Sequence, residues 1–354
     1  MRRFRFGFLA FAAVVGMAAT AAAEDGGPAA PPPSLEYRPQ RVVIPEPKAP
    51  TPAPPVTIFR EAIGGFGIAA GAFDGPADVA VDADGNVFAL DTGNNRIQMF
   101  DHFSTYVLTV GSNGSRKGEF SKPQAIALDQ EGSIYVVDTG NHRVQKFGWV
   151  DKSACPECPA RADGKRLGFL ATWGSLGTRS GDFKYPRDIA FDAQGNIYVL
   201  DAGNDRVQKF DRSMRFVGEM GRLFGSRGGI FTDLVSIGWS RDRLGYIYLL
   251  GAGCLVQQFE LDGTLVKSWP AIAPESGLCA PGRLEIDNKN DWVYVIDSGN
   301  SLFERFELGG RFLAAWRGAE RPFSNPLGLA VNPDRDEVLV ADTGNNIVQK
   351  FTLR

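Results

Sequence analysis

The chain has 354 residues, of which 44% are hydrophobic and 22% charged, as is usual for a soluble globular protein. Residues 1–23 hold three arginines and no acidic residue, so 35 basic residues face 41 acidic ones in the rest, a net charge of about −6. This balance argues against a protein that binds nucleic acid through its overall charge.

The first 23 residues have the layout of a secretory signal peptide. Arg2, Arg3 and Arg5 precede an apolar run that ends in Ala21-Ala22-Ala23. Cleavage there would leave no transmembrane segment and an exported protein, periplasmic or extracellular. The alternative is an uncleaved membrane anchor, since the apolar run is nearly long enough to span a bilayer.

Residues 24–55 form a proline-rich linker that contains eleven of the 22 prolines. Such a composition cannot build a hydrophobic core and favours an extended, polyproline-like spacer. The alternative is an inert leader with no spacing role.

A ten-residue unit recurs along the remainder of the chain. Asp138–Phe147 reads DTGNHRVQKF, close copies begin at Asp91, Asp201, Asp297 and Asp342, and Gly251–Phe259 is a degenerate copy. Six copies at a spacing of roughly 40 to 50 residues are typical of propellers and solenoids.

Each repeat predicts a four-stranded blade. A strand with a small central residue precedes a fully apolar strand, and the recurring turn leads into an alternating third strand and a fourth one. The last repeat lacks a fourth strand, whereas the run at residues 56–62 precedes the first repeat. The sequence therefore predicts an all-β, six-bladed β-propeller over residues 56–354 whose N-terminal strand completes the last blade.

With these motifs, the chain resembles the NHL-repeat family, whose units end in Asp-x-x-Asn-x-Arg-Val-x-x-Phe. The resemblance covers residues 56–354 and implies the six-bladed fold. The family arginine is present as Arg96, Arg143 and Arg206, is lost from the fourth unit, and is replaced by Leu302 and Ile347 in the last two. The family includes binding, sensor and enzymatic members, so the resemblance implies no single activity.

The aspartate and asparagine of the repeat are predicted to be structural. Their carboxylate and amide groups suit backbone hydrogen bonds in a tight turn, and a residue needed in every blade is better explained by the turn than by a metal. The pairs are Asp91 with Asn94, Asp138 with Asn141, Asp201 with Asn204, Asp297 with Asn300, and Asp342 with Asn345.

Charged residues near the central channel form the first candidate site. Asp78, Asp188 and Arg283 occupy equivalent positions of their first strands, and Glu285 replaces the small central residue. These carboxylates would ligate Ca²⁺ or pair with a cationic ligand. The alternative is a charge-compensated channel mouth without metal or cofactor, and the sequence leaves the presence of a metal open.

The loops between blades form the second candidate site. They concentrate basic residues, among them Arg116, Arg179, Arg227 and Arg317, within an acidic protein. This pattern favours binding to a protein or to an anionic glycan or lipid. The alternative is a solvated rim.

Four cysteines in an exported chain predict two disulfides. Cys254 would pair with Cys279 and hold the degenerate fourth unit. Cys155 would pair with Cys158 within an insertion, because no context for a redox or zinc site surrounds them.

These features favour an exported, non-enzymatic binding or scaffold protein that recognises its partner through the inter-blade loops. The alternative is a metal-dependent hydrolase or lyase that works at the channel through Asp78, Asp188 and Glu285. Some relatives in the family are zinc lyases that use several histidines, but His102 and His142 are predicted on opposite faces.

Overall fold

The structure, a computed structural model, describes residues 57–221, 233–241, 245–271, 279–318 and 321–353. The chain divides into a segment Met1–Pro52 and a unit Ala53–Arg354. The predicted signal peptide and proline-rich linker lie outside the described residues, in which no helix has the length and apolarity needed to cross a membrane.

The described residues form six antiparallel sheets of four strands each. In chain order the strands are β1 (Thr57–Gly64), β2 (Pro76–Val81), β3 (Val87–Asp91), β4 (Arg96–Phe100), β5 (Tyr106–Val110), β6 (Ala125–Leu128), β7 (Ile134–Asp138), β8 (Arg143–Val150), β9 (Arg166–Trp173), β10 (Asp188–Phe191), β11 (Ile197–Asp201), β12 (Arg206–Phe210), β13 (Phe216–Gly221), β14 (Ser236–Ser240), β15 (Tyr246–Gly251), β16 (Leu255–Phe259), β17 (Leu265–Pro270), β18 (Pro281–Asp287), β19 (Trp292–Asp297), β20 (Leu302–Glu307), β21 (Phe312–Trp316), β22 (Pro326–Asn332), β23 (Glu337–Asp342) and β24 (Ile347–Leu353). Four 3₁₀ turns follow second strands, at Thr139–Asn141, Ala202–Asn204, Ala252–Cys254 and Thr343–Asn345.

The ring is closed by the N-terminal strand, which confirms the predicted fold. Strand β1 pairs antiparallel with β24, from Thr57 opposite Leu353 to Gly64 opposite Ile347, so the last sheet has the order β1-β24-β23-β22. This pairing covers the edge that β24 would otherwise expose.

The hydrophobic core lies between the blades. The second strands are fully buried, as in Ile134–Asp138, because each packs against a neighbour on both faces. Among the described residues, six clusters of buried side chains each join two neighbouring sheets. Since every blade contributes to two clusters, the ring gives the first strands a fixed arrangement around the central channel.

Candidate functional site

A buried aspartate organises the turn of each repeat. Asp138 is fully buried, and its Oδ1 accepts the backbone N–H of Ser121 at 2.7 Å. Its Oδ2 accepts hydrogen bonds from Asn141 Nδ2 at 2.9 Å and Arg143 Nε at 2.7 Å. The same aspartate–asparagine bond is present in four other repeats, in Asp91–Asn94, Asp201–Asn204, Asp297–Asn300 and Asp342–Asn345. The turn residues thus have structural hydrogen-bond partners.

The arginine of the repeat reaches beyond its turn to the preceding inter-blade loop. Arg143 Nη1 donates to the carbonyl of Ser115, and Nη2 donates to the carbonyls of Arg116 and Glu119, all at 2.8 Å. Arg96 and Arg206 each make the equivalent three bonds in their own blades. Three consecutive inter-blade loops are therefore held in the same conformation.

A glutamine that the sequence analysis did not single out completes this network. Gln145 Nε2 donates to the carbonyl of Glu119 at 2.7 Å, and its Oε1 accepts the N–H of Gly118 at 2.9 Å. Gln98 and Gln208 bind their loops in the same way. The sequence did carry a signal, because glutamine recurs two residues after the arginine position in five of the six repeats.

We call the surface formed by the loops of residues 64–75, 111–122 and 174–185 the loop face. Four large apolar side chains are exposed on it: Phe66 (78%), Ile68 (82%), Leu176 (66%) and Tyr185 (55%). Exposed basic residues lie in or directly after the second and third of these loops, namely Arg116, Lys117, Lys122, Arg179, Lys184 and Arg187. Sequence reasoning found the basic residues but missed the apolar ones. Most of the apolar residues adjoin a glycine, as is usual in loops, so they carried no distinct signal.

Two other basic residues of the sequence prediction have different surroundings. Arg317 Nη1 donates to the carbonyl of Asn300 at 3.0 Å, so Arg317 is tied to the turn of the fifth blade. Arg227 lies outside the described residues.

A buried ion cluster blocks the central channel. Arg283 Nη1 contacts Asp78 Oδ2 at 3.0 Å and also contacts Asp188 Oδ1, and all three side chains are buried. Asp188 Oδ2 accepts the Ser236 hydroxyl at 2.6 Å and the N–H of Ile237 at 2.8 Å. The three first-strand positions predicted to be equivalent therefore meet, and the guanidinium lies between the two carboxylates.

Glu285 is the most weakly paired carboxylate of this cluster. Its Oε2 lies 3.9 Å from Arg283 Nη2, and its side chain is 34% exposed. Burial, together with the nearby carboxylates of Asp188 and Asp78, raises the pKa of Glu285 to about 7 against the opposing effect of Arg283. Burial also raises the pKa of Asp78 to about 7 and raises that of Asp188.

The cluster separates two cavities, so its four residues do not share one opening. Asp78, Asp188 and Arg283 line a cavity of about 100 Å³ on the side of the inter-blade loops. Arg283 and Glu285 line a second cavity of about 270 Å³ toward the opposite face. Glu285 reaches the second cavity because it lies two residues, roughly 6.6 Å, further along its strand than Arg283.

The arrangement of the cluster does not fit a calcium ion between the two aspartates. Calcium takes six to eight oxygen ligands, whereas the Arg283 guanidinium occupies the space between Asp78 and Asp188. Within the described ranges, one group of side chains has metal-ligand spacing, formed by Cys254, Cys279 and Asp297. Those two sulfur atoms are joined in a disulfide, which removes the thiolates that a metal would need.

A known family model matches four of the six repeats of this chain. The family model described as NHL repeat matches residues 73–100, 120–147, 183–210 and 323–351, which are the first, second, third and sixth units. The chain belongs to the NHL-repeat family. The sixth unit matches the family model although Ile347 stands at the position of the repeat arginine.

Curated relatives match part of this NHL propeller. NHL repeat-containing protein 3 from Homo sapiens is 26% identical over 154 residues, and its counterpart from Mus musculus is 28% identical over 157 residues. Each match covers 39% of this chain, and the chain spans only 40% of the length of each relative.

Solved structures show the shared fold. A streptogramin B lyase aligns with a TM-score of 0.55 at 13% identity, over 84% of this chain and 98% of that protein. A gluconolactonase from Xanthomonas campestris aligns with a TM-score of 0.54 at 12% identity, over 80% of this chain and 87% of that protein. At such identities the likeness concerns the propeller fold and not the activity.

The cysteines of the NHL propeller pair as the sequence predicts. Cys155 is joined to Cys158 in the insertion between β8 and β9, and Cys254 is joined to Cys279. The second bridge links the turn of the fourth unit, where the repeat aspartate is replaced by Gly251, to the segment that leads into the fifth blade.

Proposed function

We propose that this NHL propeller is an exported, non-enzymatic binding scaffold that holds a protein partner against its loop face. The observation that carries the proposal is the display of exposed apolar side chains, Phe66, Ile68 and Leu176, near exposed basic ones on loops held by hydrogen bonds from arginine side chains. Exposed apolar groups rimmed by polar residues are typical of protein-interaction sites.

The chemistry of the loop face selects a class of partner. Its exposed arginines and lysines favour an acidic surface, whereas Phe66 and Ile68 require apolar groups that leave water on binding. A protein segment that carries both acidic and apolar side chains meets both requirements better than a glycan does. Loops that are already ordered also lose little conformational entropy when they bind.

A channel hydrolase or lyase has less support. Asp78 and Asp188, which would serve as its metal ligands or bases, are already paired with Arg283 and with backbone N–H groups. The binding scaffold needs no reactive group, and its surface is directly accessible.

The test combines two loop-face variants with a control on the opposite face. The propeller is immobilised, and bound proteins from an envelope extract are quantified for the wild type, for Phe66→Ser with Ile68→Ser, and for Arg116→Glu with Arg179→Glu. Exposed Lys152 and Lys165, in the insertion between the third and fourth strands of the second blade, are changed to Glu as the control.

We expect each loop-face variant to lose at least tenfold in affinity for the captured partner, because removal of anchor residues often costs more than about 2 kcal/mol. The control should bind like the wild type. A partner retained equally by both loop-face variants would contradict the proposal.

Export is tested separately with a fusion. Residues 1–30 joined to a reporter enzyme that needs disulfides should give activity, because such bonds form outside the reducing cytosol. The matched fusion without residues 2–23 should be inactive, and equal activity of the two fusions would oppose export.

A further inference from the structure

The larger channel cavity has the properties of a ligand site. All six blades contribute first-strand residues to its wall, and its volume is about 270 Å³. Liquid water takes roughly 30 Å³ per molecule, so a cavity of this size has room for a molecule of about nine non-hydrogen atoms. It opens toward the face opposite the loop face.

Most residues that line this cavity are apolar, but the larger part of its accessible surface is polar. Leu128, Phe191 and Trp239 follow the small central residues of their strands and are only partly buried. In the described part of the chain, Glu285 is the one carboxylate among the lining residues, and Arg241 is the other charged side chain besides Arg283. Apolar side chains beside a few convergent polar groups are typical of sites for small molecules.

The charges around Glu285 leave room for an additional cation. Three carboxylates, those of Asp78, Asp188 and Glu285, lie around Arg283, and Arg241 lines the same cavity, so one negative charge remains uncompensated when all five groups are ionised. Two buried atoms of this cluster, Asp78 Oδ1 and Arg283 Nε, have no hydrogen-bond partner among the described residues. Since Arg283 is closer to both aspartates, Glu285 is the carboxylate that remains open to a ligand.

We infer that this cavity binds a small organic monocation, with its ammonium group on Glu285 and its apolar body against Phe191 and Trp239. An aromatic ring also attracts an ammonium group through its π face, which adds to the charge pairing. A neutral or anionic molecule of the same shape would leave the excess carboxylate unpaired. This site is independent of the proposed partner surface, because the cluster around Arg283 separates the two.

The test is titration calorimetry of the purified propeller with phenethylammonium, which has nine non-hydrogen atoms. The matched ligand is 2-phenylethanol, which keeps the ring and chain but lacks the charge. Calcium chloride is a third ligand, because it distinguishes an organic cation site from a metal site. Glu285→Gln is compared with Glu131→Gln, which removes an exposed charge from the turn between the first two strands of the second blade.

We expect phenethylammonium to bind wild type and Glu131→Gln alike at about pH 8, and at least tenfold more weakly to Glu285→Gln. Its affinity for the wild type should fall by about tenfold at pH 5.5, since protonation of Glu285 and its neighbour Asp78, whose pKa values are both about 7, removes negative charge. Arg283, whose pKa is raised, stays charged over this range. The other charged side chains near Glu285 are Arg241, which lines the same cavity, and Asp287, which accepts a hydrogen bond from Asn290 in its own turn.

Three results would overturn the inference. These are equal binding of 2-phenylethanol and phenethylammonium, unchanged phenethylammonium binding in Glu285→Gln, and calcium binding without phenethylammonium binding. The two-ligand comparison uses only the wild type, so the test remains decisive even if a variant fails to fold.

Discussion

The buried charges of this propeller differ in how completely they are paired. Arg206 donates from Nε to Asp201 at 2.7 Å, from Nη1 to Glu219 at 2.8 Å, and to three loop carbonyls. Its side chain is only 4% exposed, and that of Asp201 is fully buried. Such an arginine stabilises the fold mainly because its loss would leave a buried carboxylate without a compensating charge.

Arg206→Ala should therefore lower the free energy of unfolding by about 3 to 5 kcal/mol. Arg215→Ala in the same blade is the matched control, because Arg215 is 80% exposed in its pair with Asp211 and should cost less than about 1 kcal/mol. Urea unfolding of both variants measures the difference. Similar losses for the two would show that the buried network contributes little.

Glu285 gives the protein a pH-dependent stability of defined sign. Its pKa is about 7 in the folded protein and roughly 4.3 in an unfolded chain. Between these values the folded protein holds a proton that the unfolded chain has released. The free energy of unfolding contributed by Glu285 therefore falls as pH rises through this window.

Glu285→Gln should remove this dependence. We expect the free energy of unfolding of the variant to match that of the wild type near pH 4 and to exceed it by about 1 to 2 kcal/mol near pH 8. This difference is smaller than the full pKa shift would give, because solvent partly screens the exposed part of the Glu285 side chain. Denaturant unfolding across this range, with Glu131→Gln as control, measures it. A stability difference that does not change with pH would contradict the assigned pKa.

At the scale of elements, the blades differ in what stabilises their turns. The second and third blades use the aspartate, asparagine and arginine of the repeat. The fourth blade lacks these residues, and the Cys254–Cys279 bridge joins its turn to the next segment. A covalent link thus stands where the other blades use hydrogen bonds.

Replacement of Cys254 and Cys279 by serine should lower the free energy of unfolding by about 3.5 kcal/mol, from the loop entropy of a bridge between residues 25 apart. The matched double serine variant of Cys155 and Cys158 should lose only about 2 kcal/mol, because that bridge spans three residues. Chemical unfolding of both variants ranks them. The reverse order would show that strain or native contacts outweigh loop entropy.

The whole molecule depends on one non-local pairing. Strand β1 pairs with β24, although almost the whole propeller sequence separates the two strands along the chain. Ile63 of β1 is buried in the cluster that contains Phe73 and Val348. Without β1, the ring would have an open edge and an incomplete interface between the sixth and first blades.

A chain that lacks residues 57–64 should therefore unfold at lower urea concentration than the full chain. A peptide of residues 57–64, added in excess, should restore stability by adding a strand to the open edge. The same peptide with Ile63→Asp is the control and should fail. Equal effects of the two peptides would show that burial of Ile63 does not specify the closure.

The sequence by itself determined the number of blades, the strand order and the closure by an N-terminal strand. These properties follow from local patterns that are repeated six times. Because of the repetition, each pattern can be recognised even where one copy is degenerate. It also indicated the turn pairs and the cysteine partners, because both depend on short-range or neighbouring segments.

Only the tertiary structure decided which residues of the candidate sites face the same space. The two-residue offset between Arg283 and Glu285 is visible in the sequence, but the position at which the Arg283 side chain blocks the channel is not. That position depends on contacts with Asp78 and Asp188, which come from blades far apart in the chain. The exposure of Phe66 and Ile68 likewise depends on how neighbouring loops pack, and strand periodicity carries no information about it.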